Sequence, residues 1–133
     1  MNQEEQKESE KIKSFTDLFA WQEGHKLVLQ VYKITKQFPK EEQFGLTNQL
    51  RRAAVSVTSN IAEGFSRNSY KEKLQFYAVS LGSTTEIQNQ LLIARDLQYI
   101  TKEIFSEIAE QAIKVNKITN GLIKKTRAII HDS

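Results

Sequence analysis

Four stretches of this chain repeat apolar residues at the spacing of one helix face. From about Asp17 to Phe38, Trp21, Leu27, Val28, Val31, Tyr32, Ile34 and Phe38 share a face, and Gln22, Lys26, Gln30, Lys33 and Lys36 lie opposite. Asp17 is placed to act as the N-cap, and Pro39 stops the segment because the residue before a proline avoids helical geometry. The second stretch runs from about Leu46 to Glu63 on the stripe Leu46, Leu50, Ala53, Ala54, Val57 and Ile61, with Gly64 at the C′ position. The third starts at Ser69, which has capping-box spacing to Glu72, and continues to about Leu97. The fourth starts after Thr101 and reaches about Ile130 on Ile104, Phe105, Ile108, Ala112, Val115, Thr119, Leu122, Ile123, Ile129 and Ile130. Four amphipathic helices joined by short loops predict an all-α, antiparallel up-down four-helix bundle over residues 15–133. A flexible charged tail is expected over residues 1–14.

Two features exceed what a simple bundle needs. The third stretch is apolar on more than one face: Leu74, Tyr77, Leu81 and Leu92 form one arc, Phe76, Ile87, Leu91 and Ala94 a second, and Val79, Ile93 and Leu97 a third. A helix in a lone bundle buries about one stripe. The surplus predicts a subunit interface, unless this helix is central and its neighbours cover every arc. The second stretch carries a polar wedge beside its apolar stripe, made of Gln49, Arg52, Ser56, Asn60 and Glu63. So few charges on one helix suggest partial burial, and buried polar groups need partners. Ser83 and Glu86 on the third stretch are the natural ones, with Arg52 pairing to Glu86 or Glu63 within a copy or between copies. The rival is a ligand or nucleic-acid site in the same wedge.

The composition fits one globular domain: 133 residues, 39% hydrophobic and 26% charged. Five glycines and one proline are few for a β protein of this length. The absence of cysteine removes a disulfide scaffold, a thiolate metal site and a cysteine nucleophile. No apolar run approaches the ~20 residues of a membrane span. The first fourteen residues offer no secretory core, so a cytoplasmic protein without membrane contact is the default expectation.

Net charge is +3, and the segment from Ile113 onward carries +4 of it. Lys114, Lys117, Lys124, Lys125 and Arg127 concentrate at that end, with Arg51 and Arg67 as further candidates for contact with RNA or DNA phosphates. The plainer reading is a solvated helix face whose cations complement the helix C-terminus. Catalysis has little to work with: His25 and His131 are the only histidines, and no Glu-x-x-His, phosphate loop or dinucleotide glycine pattern occurs. No catalytic residue, metal site or cofactor is predicted.

The run Phe44-Gly45-Leu46-Thr47-Asn48-Gln49-Leu50-Arg51-Arg52-Ala53-Ala54-Val55-Ser56-Val57-Thr58-Ser59-Asn60-Ile61-Ala62-Glu63-Gly64 resembles the four helix bundle protein family, also called the 23S rRNA intervening-sequence protein family. Leu18–Gln22, Phe38–Glu42, Gly82-Ser83 and Glu86 extend the resemblance over about Phe15–Leu122. It implies an antiparallel four-helix bundle in a homopentameric ring, no enzymatic activity, and for some members a gene inside an rRNA intervening sequence. A distantly related bundle serves as accessory protein to a reverse transcriptase in diversity-generating retroelements, so a nucleic-acid enzyme is an implied partner. One position departs from the pattern: Thr58 stands where members usually have proline, which implies a straighter second helix here.

Overall fold

The computed structural model describes residues 12–132. Among them are four helices and no strand: α1 (Phe19–Thr35), α2 (Leu46–Ser66), α3 (Tyr70–Asp96) and α4 (Lys102–Asp132). Short 3-10 turns at Phe15–Asp17 and Lys40–Glu42 precede α1 and α2. Of the expected tail, residues 1–11 lie outside the described residues. Ile12 packs half-buried against the core, and Ser14 caps the first turn.

Two helix ends differ from the sequence expectation. Asp17 caps the short turn before α1, not α1 itself. Its carboxylate accepts from the backbone N–H groups of Lys13 (2.9 Å) and Ser14 (3.1 Å), and these bonds hold its pKa below the ordinary value. α1 then starts from the extended residue Leu18, without a side-chain cap. At the other site, α2 does not stop at Gly64 but continues to Ser66. Gly64 is needed for close approach: a Cβ there would stand 2.6 Å from Cε1 of Tyr77 and 2.9 Å from its Cδ1. Tyr77 is buried on α3, and burial pushes its phenol up to about 12. The freed carbonyls at the end of α2 are taken by Lys73, whose Nζ donates to Phe65 O (2.6 Å) and Gly64 O (3.3 Å).

Gly64→Ala therefore has opposing effects. Alanine gains about 1 kcal/mol of helix propensity. Displacing a packed ring costs about 1–3 kcal/mol. Net destabilisation is expected, seen as a lower urea midpoint; a raised midpoint would show that the Tyr77 ring yields freely.

α3 ends in a Schellman motif. Gln98 adopts a left-handed φ of 64°, Gln98 N–H donates to Arg95 O (3.0 Å), and Tyr99 N–H donates to Ala94 O (2.9 Å). The motif turns Tyr99 and Ile100 back toward α1 and α4.

Each helix packs on two neighbours: α1 on α2 and α4, and α3 on α2 and α4. Contacts run in opposite residue order. Thr35 meets Arg51, while Gly24 lies against Val57 and Thr58; Thr84 meets Asn116, while Arg95 lies over Phe105. Leu27, Val31, Leu50, Val57, Ile61, Ile87, Leu91, Ile108 and Val115 form the fully enclosed centre. α2 passes unbroken through Thr58.

α3 contributes an unusual inner face. Ser80, Ser83, Thr84 and Gln90 are buried beside Tyr77, Ile87, Leu91 and Ala94. Ser80 Oγ donates to Val57 O (2.8 Å), and Asn116 Nδ2 donates to Thr84 Oγ1 (2.7 Å). The outward arc is apolar instead: Val79 is 54% and Leu97 51% exposed, with Leu92 and Ile93 also bare. Its polar residues thus sit inside and much of its apolar surface outside.

Candidate functional site

The wedge on α2 borders a groove against α3. Ser56 and Ser83 share a hydrogen bond of 2.8 Å between their hydroxyls. Asn60 Nδ2 donates back to Ser56 O (2.8 Å) and Ser56 Oγ (3.0 Å). Above this pair a cavity of about 380 Å³ is bounded by Gln49, Arg52, Glu86 and Gln90. Ser83 and Gln90 are buried, and the side-chain carbonyl of Gln90 has no partner.

The wedge is more open than its low charge suggested. Ser56 and Asn60 are half-buried, whereas Gln49, Arg52, Glu63 and Glu86 are exposed. The predicted pairing of Arg52 with Glu86 or Glu63 does not form within one copy. Glu63 lies three turns along α2 from Arg52, roughly 16 Å away along the axis. It bonds instead to Arg67 (2.6 Å), one turn further on. Arg52 and Glu86 form no ion pair among the described residues.

The seven expected phosphate contacts divide into two groups. Arg51 Nε donates to Thr35 Oγ1 (2.9 Å), with its guanidinium 4.8 Å from the Tyr32 ring centre. Arg67 is held by Glu63 and lies 4.7 Å from the Phe76 ring centre. Lys114 does not project freely, nor does it pair with Glu110 one turn earlier; its Nζ reaches Glu23 Oε1 on α1 at 2.5 Å. Lys117, Lys124, Lys125 and Arg127 are exposed and unpaired among the described residues. The free cations are thus confined to the second half of α4.

Glu23 was not legible as a site from charge alone. It lies on the inner stripe of α1, one turn from Ala20 and Leu27, and that placement is the signal that an acid there needs a partner. Its side chain is 3% exposed. Lys114 bonds to Oε1, and Lys26 Nζ lies 2.8 Å from Oε2, off the axis of a hydrogen bond. Foremost the Lys114 bond, then Lys26, lower the Glu23 pKa against the opposing effect of burial. Gln111 Nε2 donates to Glu23 O (2.9 Å) and completes the α1–α4 tie.

A second feature that sequence reading missed is a cleft of about 250 Å³ between α1 and α4. Ile34, Ile100, Ile104 and Ile108 line it, and Lys33 and Glu107 stand at its rim. Tyr99 forms one wall. Its hydroxyl donates to Glu42 Oε2 (2.9 Å), which raises the Tyr99 pKa.

Among the described residues, no three His, Asp or Glu side chains gather as a metal site. His25 stacks on Trp21 at 4.8 Å between ring centres, and His131 is exposed near the end of α4. No helix of the described residues is long and apolar enough to cross a membrane.

No curated protein matches the chain significantly. Among solved structures, the fold is similar to a protein of unknown function from the S23 ribosomal protein family of Bacteroides thetaiotaomicron VPI-5482. The TM-score is 0.74 at 20% identity, covering 79% of this chain and 98% of that one. That likeness establishes the shared fold. Residues 16–121 match the family described as 23S rRNA-intervening sequence protein. The match spans most of the chain and includes the Phe44–Gly64 run, and the chain belongs to the 23S rRNA-intervening sequence protein family.

Proposed function

We propose that this chain is a non-catalytic, antiparallel four-helix bundle that assembles into a ring of copies and binds RNA or DNA through the basic end of α4. One observation carries the nucleic-acid reading. Lys117, Lys124, Lys125 and Arg127 are exposed and unpaired among the described residues, and no acidic residue lies between Gln111 and His131. Such a surface attracts phosphates without reading bases. Repetition around a ring multiplies a modest charge into a strong field. The family's description, which refers to 23S rRNA, supports the same direction.

The bare arc Val79, Ile93 and Leu97 supports assembly, since contiguous apolar surface is costly to leave in water. The polar groove, with Arg52 and Glu86 unpaired, lies beside this arc and finds its charge partners on the next copy. Five copies is the number the family resemblance implies. The ring places the protein in the cytoplasm beside its nucleic acid.

The same apolar arc favours a second reading, a protein-binding scaffold without nucleic-acid contact, one possible client being a nucleic-acid enzyme such as a reverse transcriptase. Retention on immobilised RNA and DNA separates the two. Binding at 50 mM salt that falls steeply by 200 mM is the expected result; no retention at low salt removes nucleic acid and leaves the scaffold.

A further inference from the structure

We infer that Phe44 of one copy seats in the α1/α4 cleft of the next copy. The inference rests on the oligomeric reading above and gives it a specific contact.

Phe44 is 88% exposed, the barest large apolar side chain among the described residues. It is presented rigidly. Beside it, Glu42 is fixed by both carboxylate oxygens: Oε1 accepts from Leu46 N (3.2 Å) and Oε2 from the Tyr99 hydroxyl (2.9 Å). Gly45 N–H closes the turn onto Glu42 O (2.9 Å). An aromatic ring held out in water by a fixed loop is a contact waiting for a partner.

The cleft is the matching hole. Its ~250 Å³ exceeds the ~150 Å³ that suffices to hold a benzene ring. Ile34, Ile100, Ile104 and Ile108 supply an aliphatic floor. Gln30 lines the same cleft, and its side-chain carbonyl is buried without a partner. Within one copy, that wall is incomplete.

The charges also match. Lys33 stands on the α1 rim and Glu107 on the α4 rim, while Lys40 and Glu41 flank Phe44 on its loop. None of the four forms an ion pair among the described residues. Docking brings Lys33 near Glu41 and Glu107 near Lys40, two complementary pairs.

Knob and hole lie at the same end of the bundle, as the Tyr99–Glu42 bond shows. Copies standing side by side in the same orientation therefore present Phe44 level with a neighbour's cleft. The contact joins different surfaces, so it is heterologous and closes into a ring when the rotation permits. A copy inverted end over end would separate the two features by the length of the bundle.

The absence of cysteine makes a clean test possible. Two singly substituted proteins, Phe44→Cys and Ile104→Cys, are co-expressed and oxidised. A disulfide-linked heterodimer, well above the cross-linking of either variant alone, is expected. Phe44→Ser should raise the concentration of half-dissociation by about tenfold to a hundredfold, with helix content unchanged. A monomeric wild-type protein overturns both this contact and the ring. An assembly that gives no heterodimer overturns the contact alone. Cross-linking of Phe44→Cys to Val79→Cys in place of Ile104→Cys seats the ring on α3 and overturns it too.

Discussion

Replacing Lys117, Lys124 and Lys125 together by glutamate is expected to abolish retention on RNA at low salt without changing helix content. All three side chains are exposed and hold nothing else in place. With Arg127 they give about four phosphate contacts per copy, for which log affinity falls against log salt with a slope of about −3 to −4. Raising salt fourfold then weakens wild-type binding by roughly 50- to 150-fold. Removing three contacts flattens the slope by about 2 to 3, and reversing them adds repulsion. Lys114 is a poor choice for this experiment because it holds a buried carboxylate. A triple variant with wild-type affinity and salt slope would take nucleic acid away from α4.

That carboxylate gives the second large effect. Lys114→Met should destabilise the fold by about 2 kcal/mol at pH 7, because Glu23 loses its only well-aligned charged hydrogen bond and keeps just the off-axis Lys26. For a chain of this size, that lowers the melting temperature by roughly 6–8 °C. The pH dependence identifies the cause. The Glu23 pKa is lowered from 4.5 in the folded protein, so the stabilisation is fully present above about pH 4.5 and disappears as pH falls through the folded value. The gap between wild type and Lys114→Met should therefore close on acidification toward pH 3, and Glu23→Gln should lack this acid-dependent loss. A gap that stays constant from pH 7 to pH 3 would assign the effect to the aliphatic stem of Lys114.

The periodic stripes located all four helices because burial along an α-helix repeats every 3.6 residues, and that repeat is local. Pro39 and Ser69 marked real boundaries for equally local reasons: Ser69 accepts from the backbone of Glu72. Gly64 misled because the same residue type serves either a helix end or close packing, and only the Tyr77 ring across the interface decides. The third arc on α3 was legible, since surplus apolar residues remain bare when one copy has folded. The state of each charge was not. Lys114, Lys117 and Lys124 look alike in sequence, yet one turn of offset sends Lys114 to Glu23 and leaves the others in water. The α1/α4 cleft was invisible for the same reason: Ile34 and Ile104 come from opposite ends of the chain, and the Schellman turn at Gln98 shapes the wall between them.

The central claim is that one folded copy leaves apolar surface that other copies cover. Light scattering at micromolar concentration measures this directly. A mass near five times 15.3 kDa, unchanged on dilution and on added salt, is the predicted result. A single 15.3 kDa species at every concentration would contradict the account.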